Sequence, residues 1–346
     1  MRRATRMACL LVIGLITQAM GQAVPDMGQA TVEWRGVLNA HGRYASLQGR
    51  SLFLTSDKKT NAPPAGCWLT LDPDPGAPML VCGGLPHAWD VAVAGRHALV
   101  CDYTRFLAVY EMTETNWTLA AKLKMPSMTE NVIVRSNLAY VANHTGGLTI
   151  VDVSDPTKPV IVSNFNPTID CDAIGLWKNV AVLYGHWESR LVLVDVSDPA
   201  RPRQAGVYQH APNTFIQGEM VVDSGFAYCT AGTNGLVIVD VVDPDRPKLA
   251  KVVDVGGPVL DVDVASGYAF VATGPGGVHV LDVKNPANPV HVGRYCDAKK
   301  LTALRLAVDP IRGAGAAPGA PAVGCNIYVA NGRGPAMVLV FRAPRR

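Results

Sequence analysis

Gly146-Gly-Leu-Thr-Ile-Val-Asp-Val-Ser-Asp-Pro-Thr-Lys-Pro159 recurs along the chain with small changes. It returns as Leu191-Val-Leu-Val-Asp-Val-Ser-Asp-Pro-Ala-Arg-Pro202 and as Gly235-Leu-Val-Ile-Val-Asp-Val-Val-Asp-Pro-Asp-Arg-Pro247. A fourth copy is Gly277-Val-His-Val-Leu-Asp-Val-Lys-Asn-Pro-Ala-Asn-Pro289. The aligned acids Asp152, Asp195, Asp240 and Asp282 are 43, 45 and 42 residues apart. A period in the low forties is the signature of a repeat architecture. Each copy is a β-branched apolar run ending at an Asp-Pro or Asn-Pro turn, which predicts a strand entering a tight connection.

Around each turn the same strand pattern recurs. In the best-kept copy, strand a is Asp261–Val264, strand b Tyr268–Ala272, strand c Val278–Val283 and strand d Pro289–Gly293. Strand c recurs upstream at Leu107-Ala-Val-Tyr-Glu111 and Trp68-Leu-Thr-Leu-Asp72, and downstream at Met337-Val-Leu-Val-Phe341. The last step is 59 residues, and its surplus matches a Gly/Ala/Pro-rich insertion expected as a loop over 309–324. The expected fold is all-β: seven four-stranded blades of a β-propeller, forming a single domain over 24–346. The last unit stops at strand c, while Thr31-Val-Glu-Trp-Arg-Gly-Val37 precedes the first strand a without a unit of its own. That N-terminal strand is expected to complete the last blade, which removes an unpaired edge.

With its Leu236-Val-Ile-Val-Asp-Val241 core and its Asp-Pro…Pro turns, the chain resembles the LVIVD-repeat family of exported bacterial proteins. The resemblance covers most of residues 24–346 and is strongest over 130–295. It implies a β-propeller and no assigned activity, so no family residues carry over as catalytic.

Composition narrows the destination and partners. A net charge of +3 and the lack of a basic run with interleaved aromatics argue against nucleic acid. Arg2, Arg3 and Arg6 precede the apolar run Cys9–Ile16 and small residues around Ala19–Ala23. This predicts a secretory signal peptide over 1–23, with the rest exported to the periplasm, the cell surface or the medium as a monomer with no membrane span. Past that segment the cysteines are Cys67, Cys82, Cys101, Cys171, Cys229, Cys296 and Cys325, with no CxxC pair to suggest structural zinc.

No nucleophile elbow, HExxH, P-loop or dinucleotide fingerprint occurs. The repeated Asp152, Asp195, Asp240 and Asp282 are expected to cap their turns, as Asp does beside Pro. Binding residues are expected on the face that receives the d-to-a and b-to-c loops. Those loops carry His41, Arg43, Tyr44, His87, Trp89, Tyr103, Arg105, His144, His186, Trp187, Glu188, Phe215 and Arg333. Counting back from strand b also aligns Asp90, Asn131, Asp172, Glu219 and Asp261 at the start of strand a, beside the central channel. Two roles stay open for this ring. Each acid accepts backbone N–H bonds from the neighbouring blade, or the ring holds a hard cation such as Ca²⁺ or Mg²⁺ in the channel; no other cofactor is expected.

Three functions follow as alternatives. The first is a non-catalytic scaffold binding a protein, glycan or envelope component through the loop-rich face. The second is a hydrolase or lyase at the channel mouth, with or without a metal. The third is a structural module of a surface assembly. A smaller expectation concerns the first blade. Its Asp72–Ala77 turn sets residue 69 opposite 80 and Cys67 opposite Cys82 across strands c and d, a spacing that a disulfide can close in an oxidising compartment. Non-reducing peptide mapping should recover the Cys67–Cys82 crosslink; two alkylatable thiols would reject it.

Overall fold

The computed structural model describes residues 31–37, 44–48, 51–55, 66–70 and 79–81 as backbone strands. From there it describes 89–101, 103–113, 117–212, 214, 219–297, 299, 301–311, 324–331 and 337–343. Every regular element among these residues is a β-strand. Strand β1 (Thr31–Val37) comes first in sequence, and its sheet is described last. Strands β2 (Tyr44–Gln48), β3 (Ser51–Thr55), β4 (Gly66–Thr70) and β5 (Met79–Val81) form one sheet. The next contains β6 (Asp90–Ala94), β7 (His97–Cys101), β8 (Phe106–Met112) and β9 (Trp117–Lys124). It is followed by β10 (Asn131–Arg135), β11 (Leu138–Ala142), β12 (Leu148–Asp152) and β13 (Val160–Phe165). Then come β14 (Ala173–Trp177), β15 (Val180–Gly185), β16 (Arg190–Asp195) and β17 (Arg203–Gln209). Another sheet holds β18 (Met220–Asp223), β19 (Phe226–Thr230), β20 (Leu236–Asp240) and β21 (Lys248–Val253). Strands β22 (Asp261–Ala265), β23 (Tyr268–Ala272), β24 (Val278–Asp282) and β25 (Val290–Tyr295) repeat the pattern. Finally, β26 (Ala303–Ile311), β27 (Gly324–Asn331) and β28 (Met337–Arg342) take β1 as their fourth strand, paired antiparallel to β28.

The repeated sequence accounts for this geometry locally. Asp152 Oδ1 accepts the Ser154 N–H at 2.8 Å, and Asp195, Asp240 and Asp282 accept the N–H two residues on at 2.9–3.0 Å. The second polar residue of each turn does the same: Asp155, Asp198, Asp243 and Asn285 accept at 3.1–3.2 Å. Both polar positions of the motif are therefore Asx turns that end strand c and aim strand d. Just before the first of these residues, the ladder between strands c and d shifts register at Ile150/Val151, Leu193/Val194, Ile238/Val239 and Leu281 after Val280. A bulge at one fixed place adds right-handed twist to each outer strand. On the other side of strand c, Gly277 takes φ +88°, where a Cβ would overlap the Tyr295 carbonyl oxygen.

Packing runs from sheet to sheet. Tyr140, Leu148 and Ile150 meet Ile174, Leu183, Val192 and Val194 of the next sheet. Phe270 and Val280 meet Leu306, Ile327, Leu339 and Phe341 in the same way, with the Phe270 and Phe341 rings edge-on at 5.5 Å. Each such side chain contributes about 1.5–3 kcal/mol on burial. Outer strands carry the solvent face, with Val160, Val290 and Leu249 exposed. The inner strands follow one another, and β26 lies against both β22 and β2. Among the described residues, no helix is long and apolar enough to cross a membrane.

Two expectations need adjustment or lie out of reach. The loop expected over 309–324 is shorter at both ends, because Asp309, Pro310 and Ile311 pair with Asn326, Cys325 and Gly324. Strand β27 reaches far enough to extend the ladder over these residues, while 312–323 lie outside the described residues. In the β4–β5 ladder, Leu69 does face Leu80 and Trp68 faces Val81. Cys82, however, lies outside the described residues, so the proposed crosslink with Cys67 rests on the sequence.

Removing residues 24–38 deletes β1 and leaves β28 with an open edge. The truncated protein should melt lower by roughly 5 °C or more. An unchanged melting temperature would show that β1 adds nothing to its sheet.

Candidate functional site

The expected ring divides when strand register is followed residue by residue. Asp90 pairs with Cys101, Asn131 with Ala142 and Asp261 with Ala272, and each opens its strand a. Glu219 precedes β18, and its carbonyl accepts the Thr230 N–H. In the intervening sheet the place opposite Tyr184 belongs to Ala173, not Asp172. The Asp172 N–H instead donates to the Tyr184 carbonyl, as the Glu130 N–H does to Ala142. Asp172 thus stands one residue earlier than its expected alignment and is the counterpart of Glu130. The turn between strands a and b has the same length here as in the preceding sheet, so eight residues before Ala181 falls on Ala173. His41 and His87 lie outside the described residues.

Three ring members bond to the neighbouring sheet. Asp90 Oδ2 accepts the Val132 N–H at 2.9 Å and the Asn131 side-chain amide at 2.7 Å. Asn131 Oδ1 in turn accepts the Ile174 N–H at 3.0 Å, and Asp261 Oδ2 the Leu306 N–H at 2.7 Å. These are the sheet-to-sheet bonds expected under the first of the two roles. Asp263, two residues along β22, repeats the arrangement on Val308 N–H at 2.9 Å.

Sequence counting missed Arg305. It pairs with Ala330 on β27, after a register shift, and so occupies the ring position in its own sheet. Its guanidinium donates to the Leu260 carbonyl at 2.8 Å and lies 3.5 Å from Glu219 Oε1. Burial pushes the Glu219 and Asp261 carboxyls upward, and the Arg305 charge pulls both back down. A cation is therefore built into the ring as a side chain.

A second cluster forms where the sheets of β10–β13 and β14–β17 meet. His144 sits in the β11–β12 turn with φ +43°, and its backbone exchanges two 3.0 Å hydrogen bonds with Cys171, immediately before Asp172. Buried Asn143 anchors the turn, its amide donating to Val141 O and Thr149 Oγ1. The His144 Nε2 atom lies 3.9 Å from Glu130 Oε1, and Nδ1 lies 3.8 Å from Asp170 Oδ1. Asp172 Oδ2 accepts both the His186 backbone N–H, at 3.1 Å, and His186 Nδ1, at 2.5 Å. Glu188 Oε1 takes the Asp170 N–H at 3.4 Å.

The electrostatics are set by crowded acids. Glu130 is buried, and the charges of Asp172, Glu219 and Asp170 reinforce that burial, pushing its carboxyl up to about 9. Burial and the nearby acids also raise the Cys171 thiol far above its usual range, which makes it a poor nucleophile. Aromatic rings flank the cluster. Trp187 is 69% exposed beside the His186 ring, with centroids 4.6 Å apart. Tyr103 stacks on Trp89 at 4.6 Å, and burial together with Glu130, Asp172 and Asp170 raises its phenol. This arrangement can accept hydrogen bonds from a ligand, present ring faces to it, hold a cation, or use His186 as a base oriented by Asp172. At the opposite end of the strands, a cavity of about 600 Å³ is lined by Asn179, Asp195, Arg203, Gln204, Pro244 and Asp245.

Such sheets and such a site define a β-propeller. The chain carries LVIVD repeats at residues 126–167, 184–210, 218–255 and 256–297. Its fold is similar to the WD40 domain of Toxoplasma gondii coronin, at 10% identity and TM-score 0.65, covering 93% of this chain and 89% of that one. It is also similar to a periplasmic gluconolactonase of Pseudomonas aeruginosa, at 14% identity and TM-score 0.59, covering 73% and 86%. A protein from Lactobacillus plantarum matches at 10% identity and TM-score 0.63, covering 85% and 99%. No curated protein sequence matches the chain.

Burial lifts the Asp90 carboxyl from 3.8 to about 7 and that of Asp263 to about 6. A carboxyl raised in the folded state takes up a proton on folding between its two pKa values. Its stabilising contribution is complete below about pH 4 and is lost as the pH rises through the folded value. Asp90→Asn removes that loss and keeps an acceptor for Val132. Its melting temperature relative to the parent should therefore climb between pH 4 and pH 8. A difference that does not change with pH would show that Asp90 titrates normally.

Proposed function

We propose that the protein is an exported binding scaffold: a seven-bladed β-propeller whose ring closes through β1 and whose ligand sits at the loop end of strands a. Closure is supported by the contact of β26 with both β22 and β2, and by β1 as the outer strand beside β28. Export is supported by the N-terminal pattern of arginines, apolar run and small residues.

The observation that carries the binding reading is the junction itself. Glu130, Asp170, Asp172 and Glu188 crowd two imidazoles between the exposed rings of Trp187 and Tyr103. Acids flanked by ring faces suit a neutral or cationic polar ligand, because sugar C–H faces and ammonium groups both stack on aromatics. An amino-sugar chain of the envelope fits that chemistry better than an anionic polymer. Titration with glucosamine oligomers should give saturable quenching of tryptophan fluorescence. Trp187→Ala should weaken it about tenfold or more, given that hot-spot aromatics contribute at least ~2 kcal/mol. No saturable binding of amino-sugar oligomers or basic peptides would overturn this reading.

One observation favours a second reading. The Asp172–His186 pair is buried and short, and holding Nδ1 leaves Nε2 available as a general base. The structural likeness to a gluconolactonase supplies a substrate class to try. Under this reading, a lactone and ester panel should reveal turnover that His186→Ala abolishes.

A further inference from the structure

We propose that Glu130, His144 and Asp172 bind one divalent transition-metal ion, of the zinc or manganese class, at the junction of the two sheets. The proposal goes beyond the ligand reading and does not depend on it.

Position is the first argument. One donor atom from each of the three residues lies within 4.8 Å of the others, and among the described residues they are the one such group of three. Bonds of roughly 2.0–2.2 Å to a shared ion would need only a small inward rotation of the side chains. The residues come from separate segments, the approach to β10, the β11–β12 turn and the approach to β14. Their meeting is therefore a product of sheet packing and not of local sequence.

The second argument is unmet bonding. Glu130 is only 3% exposed, yet the His144 ring that faces it stands with Nε2 at 3.9 Å, beyond hydrogen-bonding reach. Nδ1 of His144 is buried without a hydrogen bond, and so is Glu188 Oε2 alongside. Buried polar groups normally find partners, because an unsatisfied one costs about 1–3 kcal/mol. Glu130 and His144 Nε2, facing each other without a hydrogen bond beside Asp172, are a donor set that a cation would satisfy.

The surrounding residues orient this set. His186 holds Asp172 by Oδ2 from both its backbone and its ring, which fixes the carboxylate beside Glu130 and His144. If Nε2 of His144 takes the ion, its Nδ1 faces Asp170, where a second carboxylate commonly fixes a metal-bound imidazole. The Cys171 ladder bonds hold the His144 backbone in place, so the ring is aimed before any ion arrives. Ligand type selects the metal. Ca²⁺ takes six to eight oxygens and Mg²⁺ keeps its waters, whereas an imidazole with two carboxylates suits Zn²⁺, Mn²⁺ or Fe²⁺. Three protein ligands also leave a coordination position for water or for a polar ligand entering past Trp187.

The test uses the full mature protein, stripped with chelator and dialysed. Calorimetric titration with Zn²⁺ and with Mn²⁺ should show one saturable site for at least one of them, with a rise in melting temperature by mass action. Ca²⁺ and Mg²⁺ should bind at least about tenfold more weakly. Glu130→Gln and Asp172→Asn keep side-chain shape and should each weaken the site about tenfold or more. His279→Ala, at the distant His279–His291 pair, should change nothing. Circular dichroism of metal-free variants checks folding; if one fails to fold, the other carries the result. Absence of a saturable site, or a site untouched by either carboxylate variant, overturns the proposal. Failure here leaves amino-sugar binding in the presence of chelator untouched, so the two readings fail separately.

Discussion

From the sheet of β6–β9 to that of β26–β28, each has an apolar face that it cannot cover by itself, and the next sheet covers it. Leu148 and Ile150 need Ile174, Leu183 and Val192; Phe270 needs Leu339 and Phe341. At about 1.5–3 kcal/mol per buried side chain, this contact outweighs any single hydrogen bond in the molecule. Hydrophobic contact is poorly directional, however, and two flat sheets can slide. The sheet-to-sheet bonds at the start of strand a supply the missing register: Asp90 to Val132, Asn131 to Ile174 and Asp261 to Leu306. Packing provides the adhesion and these side chains set the offset.

That device has an electrostatic cost. Burial is the main reason that Asp90 is lifted to about 7, and the charge of Glu219 across the opening adds to it. Arg305 and Asn131 are two answers to the same problem. Arg305 places a fixed positive charge between Glu219 and Asp261, while Asn131 supplies an acceptor oxygen with no charge at all. On the other side of the opening, the ion pairs of Glu130, Asp170 and Asp172 among the described residues are with His144 and His186 and not with an arginine. The imbalance of charge is therefore local, and it falls where the unmet donors and acceptors lie.

The repeat was legible because its cause is local. Asp152, Asp195, Asp240 and Asp282 cap turns two residues away, so the same short motif must be rewritten whenever the same turn is needed. Strand order and the pairing of Thr31–Val37 with the last strand c followed from counting units. The ring position lies eight residues before the strand-b alanine, which for Ala181 is Ala173, so the alignment of Asp172 was one residue off; a register shift after Ala303 hid Arg305. Glu130 was never singled out, because its counterparts are Trp89 and Leu260, and no pattern of residue type marks that place. His144 and His186 were picked out as loop histidines, but their acidic partners could be named only from the packed sheets.

Repetition and the proposed site therefore occupy different positions. A residue that recurs from sheet to sheet is answering a demand that every sheet makes, and the ring acids and turn aspartates answer demands of that kind. The junction of β10–β13 with β14–β17 breaks the rule twice. Ala173 replaces the expected acid on the ring, and Asp172 beside it turns to His186 instead of to a backbone N–H of the next sheet. The bond that Ala173 gives up would have run to the β18–β21 sheet, while the junction itself keeps the Asn131–Ile174 bond. The same change frees a carboxylate to approach Glu130 and His144, which nothing in the folding of a repeat requires. Structural need explains Asp90, Asn131 and Asp261, and the proposed site rests on the asymmetric acids instead.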